Sequence, residues 1–102
     1  MKFLVITNSV HFDKDVKHLL EQADVKVYSQ MNINGHSEVD QENLRDNWFA
    51  VSNQYDKSSV FFSFTEDEKA NKVIQLSSEF NQTSDSKSKI RAFIMSVDNH
   101  NL

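Results

Sequence analysis

A 102-residue chain without Cys or Pro must draw any chemistry from carboxylates, imidazoles, amines and hydroxyls. Its histidines are His11, His18, His36 and His100, and no HxH or HxxxH pair occurs. A metal centre needs several such ligands to converge with supporting bonds behind them. His36 and Glu38 stand two apart, on one side of an extended segment, and form a sparse ligand pair in which His36 is the metal candidate. Gly35, the only glycine, can supply a φ > 0 turn or let a ligand approach the backbone. Asn34-Gly35 is also a turn dipeptide, which is the plainer reading. Lys87 and Lys89 offer positive charge for an anion. Trp48 and Phe49, beside an acidic stretch, either pack locally or anchor a partner, a role in which Trp is enriched. No serine stands in a recognisable Ser-His-Asp setting. Glu66 and Glu68 read as a helix start, where the dipole favours carboxylates. An enzyme is therefore not expected.

Composition removes further classes. Without Cys there is no disulfide scaffold and no thiolate zinc site. One glycine excludes P-loop and dinucleotide-type phosphate cradles. Eleven basic against fifteen acidic residues, a formal charge of −4, argue against nucleic acid as a partner. An RNA-binding sheet would need exposed aromatics with basic neighbours, for which Phe61 and Phe93 qualify by position. No stretch approaches the roughly 20 apolar residues of a membrane span. The start, MKFLVITNSV, lacks the long apolar core of a signal peptide, so a cytoplasmic protein of one domain, 1–102, is expected.

The elements that must position these residues follow from periodicity. Residues 3–7 are a β-branched and aromatic run, hence a strand. Val16, Leu19, Leu20 and Ala23 form an amphipathic helical stripe with Asp13 as a plausible cap. Residues 25–33 alternate with period two, a second strand. The polar residues 36–47 read as a mobile loop, with an apolar island at 48–51. Residues 59–64 form a third strand. Thr65-Glu66-Asp67-Glu68 reads as a capping box for a helix carrying Ala70, Val73, Ile74, Ser77 and Phe80. A polar turn over 81–88 and a strand over 89–97 complete the order β-α-β-β-α-β. That order predicts an α+β, ferredoxin-like fold, an antiparallel sheet with both helices on one face.

A sheet covered on one face should be polar on the other. Here Phe3 and Val5 oppose Leu4 and Ile6, and Val60, Phe62 and Phe64 oppose Phe61. In the last strand Ile90, Ala92 and Ile94 oppose Phe93, Met95 and Val97. Apolar patches of this size mark interfaces, so an oligomer that buries the open face is expected; the alternative, the acidic loop folding over it, is disfavoured because that loop is too polar to make a good lid.

The element order, the long polar loop and Gly35-His36-Ser37-Glu38 at its start resemble the nitrogen-regulatory PII family and its PII-like relatives. Val60-Phe61-Phe62-Ser63-Phe64 is similar to the family's third strand, and Lys89-Ile90-Arg91-Ala92-Phe93-Ile94 to its last core strand. The resemblance implies a homotrimer with the sheets lining its centre. It implies small ligands in the subunit clefts, with Gly35, His36, Glu38, Lys87 and Lys89 as candidate contacts. It also implies a loop, about 36–56, that reaches a transporter or an enzyme. The family's nucleotide-binding turn is glycine-rich, whereas residues 81–89 contain no glycine, so a nucleotide would have to be met by Lys87 and Lys89. Two other readings remain open on this fold: a CutA-like divalent-metal protein and a small oligomeric enzyme.

Overall fold

The computed structural model describes residues 1–36, 57–84 and 88–102. The first strand, β1 (Lys2–Ser9), turns Leu4 and Ile6 inward, each 1% exposed. A 3-10 turn, Val10–Phe12, follows, with Ser9 Oγ accepting from the His11 amide at 3.4 Å. Helix α1 (Asp13–Gln22) then buries Val16, Leu19 and Leu20, the expected stripe. Asp13 is its first residue and not its cap. The cap position falls to Phe12, because the 3-10 turn already leads into the helix. The Asp13 carboxylate instead accepts from Asn8 Nδ2 at 2.8 Å and Gln30 Nε2 at 3.2 Å.

Helix α1 stops on Asp24, which takes a left-handed φ of 61°. The Asp24 amide donates to Glu21 O at 3.0 Å and the Val25 amide to Leu20 O at 2.9 Å. Those two bonds are a Schellman stop, made here without glycine. They also explain why the second strand is shorter than its alternation predicts. Val25 is drawn back under the helix and buried, while Val27 is 83% exposed. Pairing begins only at Ser29, giving β2 (Ser29–Asn34). Gly35 follows, buried, without the positive φ expected of it.

Strand β3 (Lys57–Thr65) is longer than expected at both ends. Thr65 remains in the ladder opposite Lys2, so the capping box does not form. Helix α2 (Asp67–Thr83) starts one residue later, with Glu66 at the cap position and no side-chain cap bond. At its other end α2 runs through Asn81, Gln82 and Thr83, three residues expected in a turn. The cause is Asn81, whose side chain grips Ile90 from the helix. Strand β4 (Arg91–Ser96) closes the fold.

The sheet order is β2-β3-β1-β4, antiparallel throughout. This is the ferredoxin-like α+β architecture. Both helices cover one face, where Leu4, Ile6 and Phe61 meet Val16, Leu20 and Val73. Phe12 and Phe80 meet edge-on at 5.3 Å between the 3-10 turn and α2. No helix among the described residues is long and apolar enough to cross a membrane.

Candidate functional site

The face away from the helices is organised in cross-strand rows. Phe64, Phe3 and Met95 form one row. Ser29, Phe62, Val5 and Phe93 form the next. Met31, Val60, Thr7 and Arg91 form a third, and Ile33, Ser58 and Ser9 a fourth. Phe3 packs against Phe64 at 4.8 Å and Phe62 at 5.9 Å between ring centroids. The first rows leave large apolar side chains open to water: Phe64 is 53%, Met95 48% and Phe93 40% exposed, and Met31 in the third row is 52%. Four such residues on one face form the kind of patch that monomers avoid.

The face changes character along its length. At the end where β2 stops and β3 and β4 start, Thr7, Ser9 and Ser58 are buried polar residues. Ser58 Oγ and Arg91 Nε are buried atoms with no hydrogen-bond partner. Buried polar groups are nearly always satisfied by protein or ordered water, so these two atoms make this end of the face the candidate site. Sequence reasoning passed over both residues. The strand alternation that assigned Phe62 and Phe93 to this face assigns Ser58 and Arg91 to it as well.

The residues singled out from the sequence are distributed around this same end. Gly35 and His36 follow β2, with His36 exposed. Lys89 precedes β4, and its Nζ donates to the main-chain oxygen of Asn81 at 3.1 Å. Glu38, Trp48, Phe49 and Lys87 lie outside the described residues. The sheet order puts β2 and β4 at opposite edges, with β3 and β1 between them. Three strand spacings separate those edges by about 14 Å. Gly35 and Lys89 therefore do not converge within one chain. Only the apposition of one copy's β2 edge with another copy's β4 edge would bring the two groups to one ligand.

The stretch before β4 is held in a defined shape. Asn81 Nδ2 donates to Ile90 O at 2.8 Å, and the Ile90 amide donates to Asn81 Oδ1 at 2.9 Å. The amide side chain thus makes the paired bonds a neighbouring strand would make. It ties the end of α2 to the residue before β4 and fixes the backbone next to Lys89.

At the opposite end of the sheet lies an open groove of ≈ 380 Å³, lined by Val25, Lys26 and Val27 ahead of β2 and by Phe64 of β3 with Glu66 and Lys69 beyond it. Among the described residues no three His, Asp or Glu side chains gather as metal ligands. Phe61 is fully buried beneath the helices, so the pairing of Phe61 with Phe93 as a base-stacking surface is corrected; the two lie on opposite faces.

No protein-family model matches the chain, and no curated protein sequence matches it. Solved structures do. CPII, a nitrogen regulatory PII-like protein from Thiomonas intermedia K12 bound to ADP, AMP and bicarbonate, superposes with a TM-score of 0.68 at 14% identity, over 99% of this chain and 93% of that one. Its apo form gives 0.66 at 17% identity, over 92% and 85%. A candidate PII-like signaling protein from Thermus thermophilus gives 0.62 at 13% identity, over 92% and 83%. At these identities the likeness establishes the fold, the ferredoxin-like fold of the PII-like proteins.

Proposed function

We propose that this chain is a divergent PII-like regulatory binding module and not an enzyme. It acts as a homotrimer, takes a small ligand in the clefts between subunits, and passes its state to a partner transporter or enzyme through residues 36–56. The observation that carries the reading is the open sheet face, apolar over most of its length and polar and unsatisfied at one end. Burying what remains exposed of the Phe64, Phe93, Met95 and Met31 side chains, about half of each, against other copies would stabilise the assembly by roughly 1 kcal/mol per side chain. Cyclic closure would also join the β2 and β4 edges, uniting Gly35 and His36 of one subunit with Lys89 of the next. CPII was solved with ADP, AMP and bicarbonate, so an adenine nucleotide and a small anion are the first ligands to try. Arg91 and Ser58 supply the unmatched donors an anion would need, while the glycine-free turn favours contacts by lysine side chains over a backbone cradle.

Light scattering at micromolar concentration should return three times the chain mass. A Phe93→Lys variant, which places a charge in the second row of the face, should return one. A monomeric wild type would end the proposal. A thermal-shift screen with ADP, AMP and bicarbonate should raise the melting temperature, because a ligand that binds only the folded state stabilises it.

A further inference from the structure

We propose that Asn34-Gly35 is a self-modifying site, at which the chain converts Asn34 to aspartate or isoaspartate without an enzyme. The step is intramolecular. The Gly35 amide nitrogen gives its proton to solvent base and attacks the Asn34 side-chain carbonyl. A C–N bond forms, the Cγ–Nδ2 bond breaks, and ammonia leaves with a proton from water. The product is a five-membered succinimide. Water then adds to one of its two carbonyls. Ring opening gives aspartate or isoaspartate according to which C–N bond breaks: cleavage at the former side-chain carbonyl gives aspartate, and cleavage at the main-chain carbonyl gives isoaspartate. Water is the only co-reactant and no redox change occurs.

The fold selects this asparagine. Asn34 is exposed and is the last residue of β2, where ladders fray. Its neighbour is the chain's only glycine, buried in the folded strand end and reached by solvent base when that end frays, with no Cβ to obstruct the attack. The competing asparagines among the described residues are shielded or poorly followed. Asn8 is fully buried, and its Nδ2 donates to Ser9 O at 2.7 Å as well as to Asp13. Asn32 accepts from Ser59 and precedes β-branched Ile33. Asn71 and Asn81 lie inside α2, where the backbone is fixed, and Asn81 has both side-chain atoms bonded to Ile90. Asn99 and Asn101 are exposed but precede His100 and Leu102.

The two products act differently at the same point. Asn34 stands directly opposite Lys57 in the β2–β3 register. Aspartate there places opposite charges across the pair, which is favourable. Isoaspartate adds a backbone methylene, breaks the strand's period and loosens the root from which residues 35–56 depart. This inference stands independently of the trimer.

The test is incubation of the purified full chain at mildly alkaline pH, followed by peptide mapping with mass spectrometry that separates aspartate from isoaspartate. The Asn34 peptide should gain one mass unit several-fold faster than the Asn99 peptide, and Gly35→Ala should slow it several-fold. The same measurement in denaturant is the structural control: Asn71 and Asn81 should accelerate strongly and Asn34 little. A native Asn34 rate no higher than that of Asn99, no effect of Gly35→Ala, or a native Asn34 rate an order of magnitude below its rate in denaturant would each overturn the proposal.

Discussion

Replacing Asn81 with Ala removes both side-chain bonds to Ile90, at 2.8 and 2.9 Å. Each such bond contributes about 1 kcal/mol net when made. The larger effect comes from what is left behind. Ile90 is 2% exposed, so its amide and carbonyl cannot turn to water without local rearrangement. An unsatisfied buried group costs about 1–3 kcal/mol. The expected loss is therefore roughly 2–4 kcal/mol, since partial relaxation recovers some of the penalty. In a domain of this size that corresponds to a fall in melting temperature of roughly 10–20 °C. Gln82→Ala, one residue on and exposed, should stay within about 0.5 kcal/mol of wild type. The assay is urea denaturation of the three proteins at one fixed protomer concentration, with hydrogen exchange at the Ile90 amide. A loss below about 0.5 kcal/mol, or an Ile90 amide that stays as protected in Asn81→Ala as in wild type, would refute the clamp.

Asp24 sits at a left-handed φ of 61° that glycine adopts freely. Its ion pairs with Lys26 and Lys69, at 3.6 and 3.5 Å, are exposed and contribute little. Asp24→Gly should therefore match or slightly exceed wild-type stability, whereas Asp24→Ala should fall below Asp24→Gly by about 1 kcal/mol; equal melting of the two variants would show that the backbone carries no strain. Ser58→Ala should leave the unliganded chain as stable as wild type, because its buried Oγ has no bond to lose. The same variant should shrink the melting shift produced by ADP with bicarbonate, and an unchanged shift would remove Ser58 from the site.

The sequence disclosed the architecture because the apolar spacing agreed with it in both helices and in the strands β1 and β3. Val16, Leu19, Leu20 and Ala23 are buried as their spacing requires, and the alternation of Leu4 and Ile6 against Phe3 and Val5 separates the covered face from the open one. Element ends were less legible, because they depend on tertiary partners. Thr65 matches a capping motif, yet its pairing with Lys2 keeps it in the sheet. Asn81 matches a turn, yet its bonds to Ile90, nine residues on, hold it in the helix. Val25 and Val27 share a period-two pattern, yet the stop at Asp24 sends one inward and leaves the other in water. Of the candidate site, Gly35, His36 and Lys89 were visible as types, but their separation to opposite edges is a property of strand order. Ser58 and Arg91 carried no motif, and became candidates only once their buried atoms were found unmatched.

The ladder position shared by Asn34 and Lys57 also bears on how such a chain can diversify. The register holds these two residues side by side, so the ends of the segment between them are fixed by the sheet. Lengthening a segment whose ends are already fixed costs little, about 0.6 kcal/mol for each doubling. The ladder contact, and not the number of residues between its partners, thus sets the register of β2 on β3.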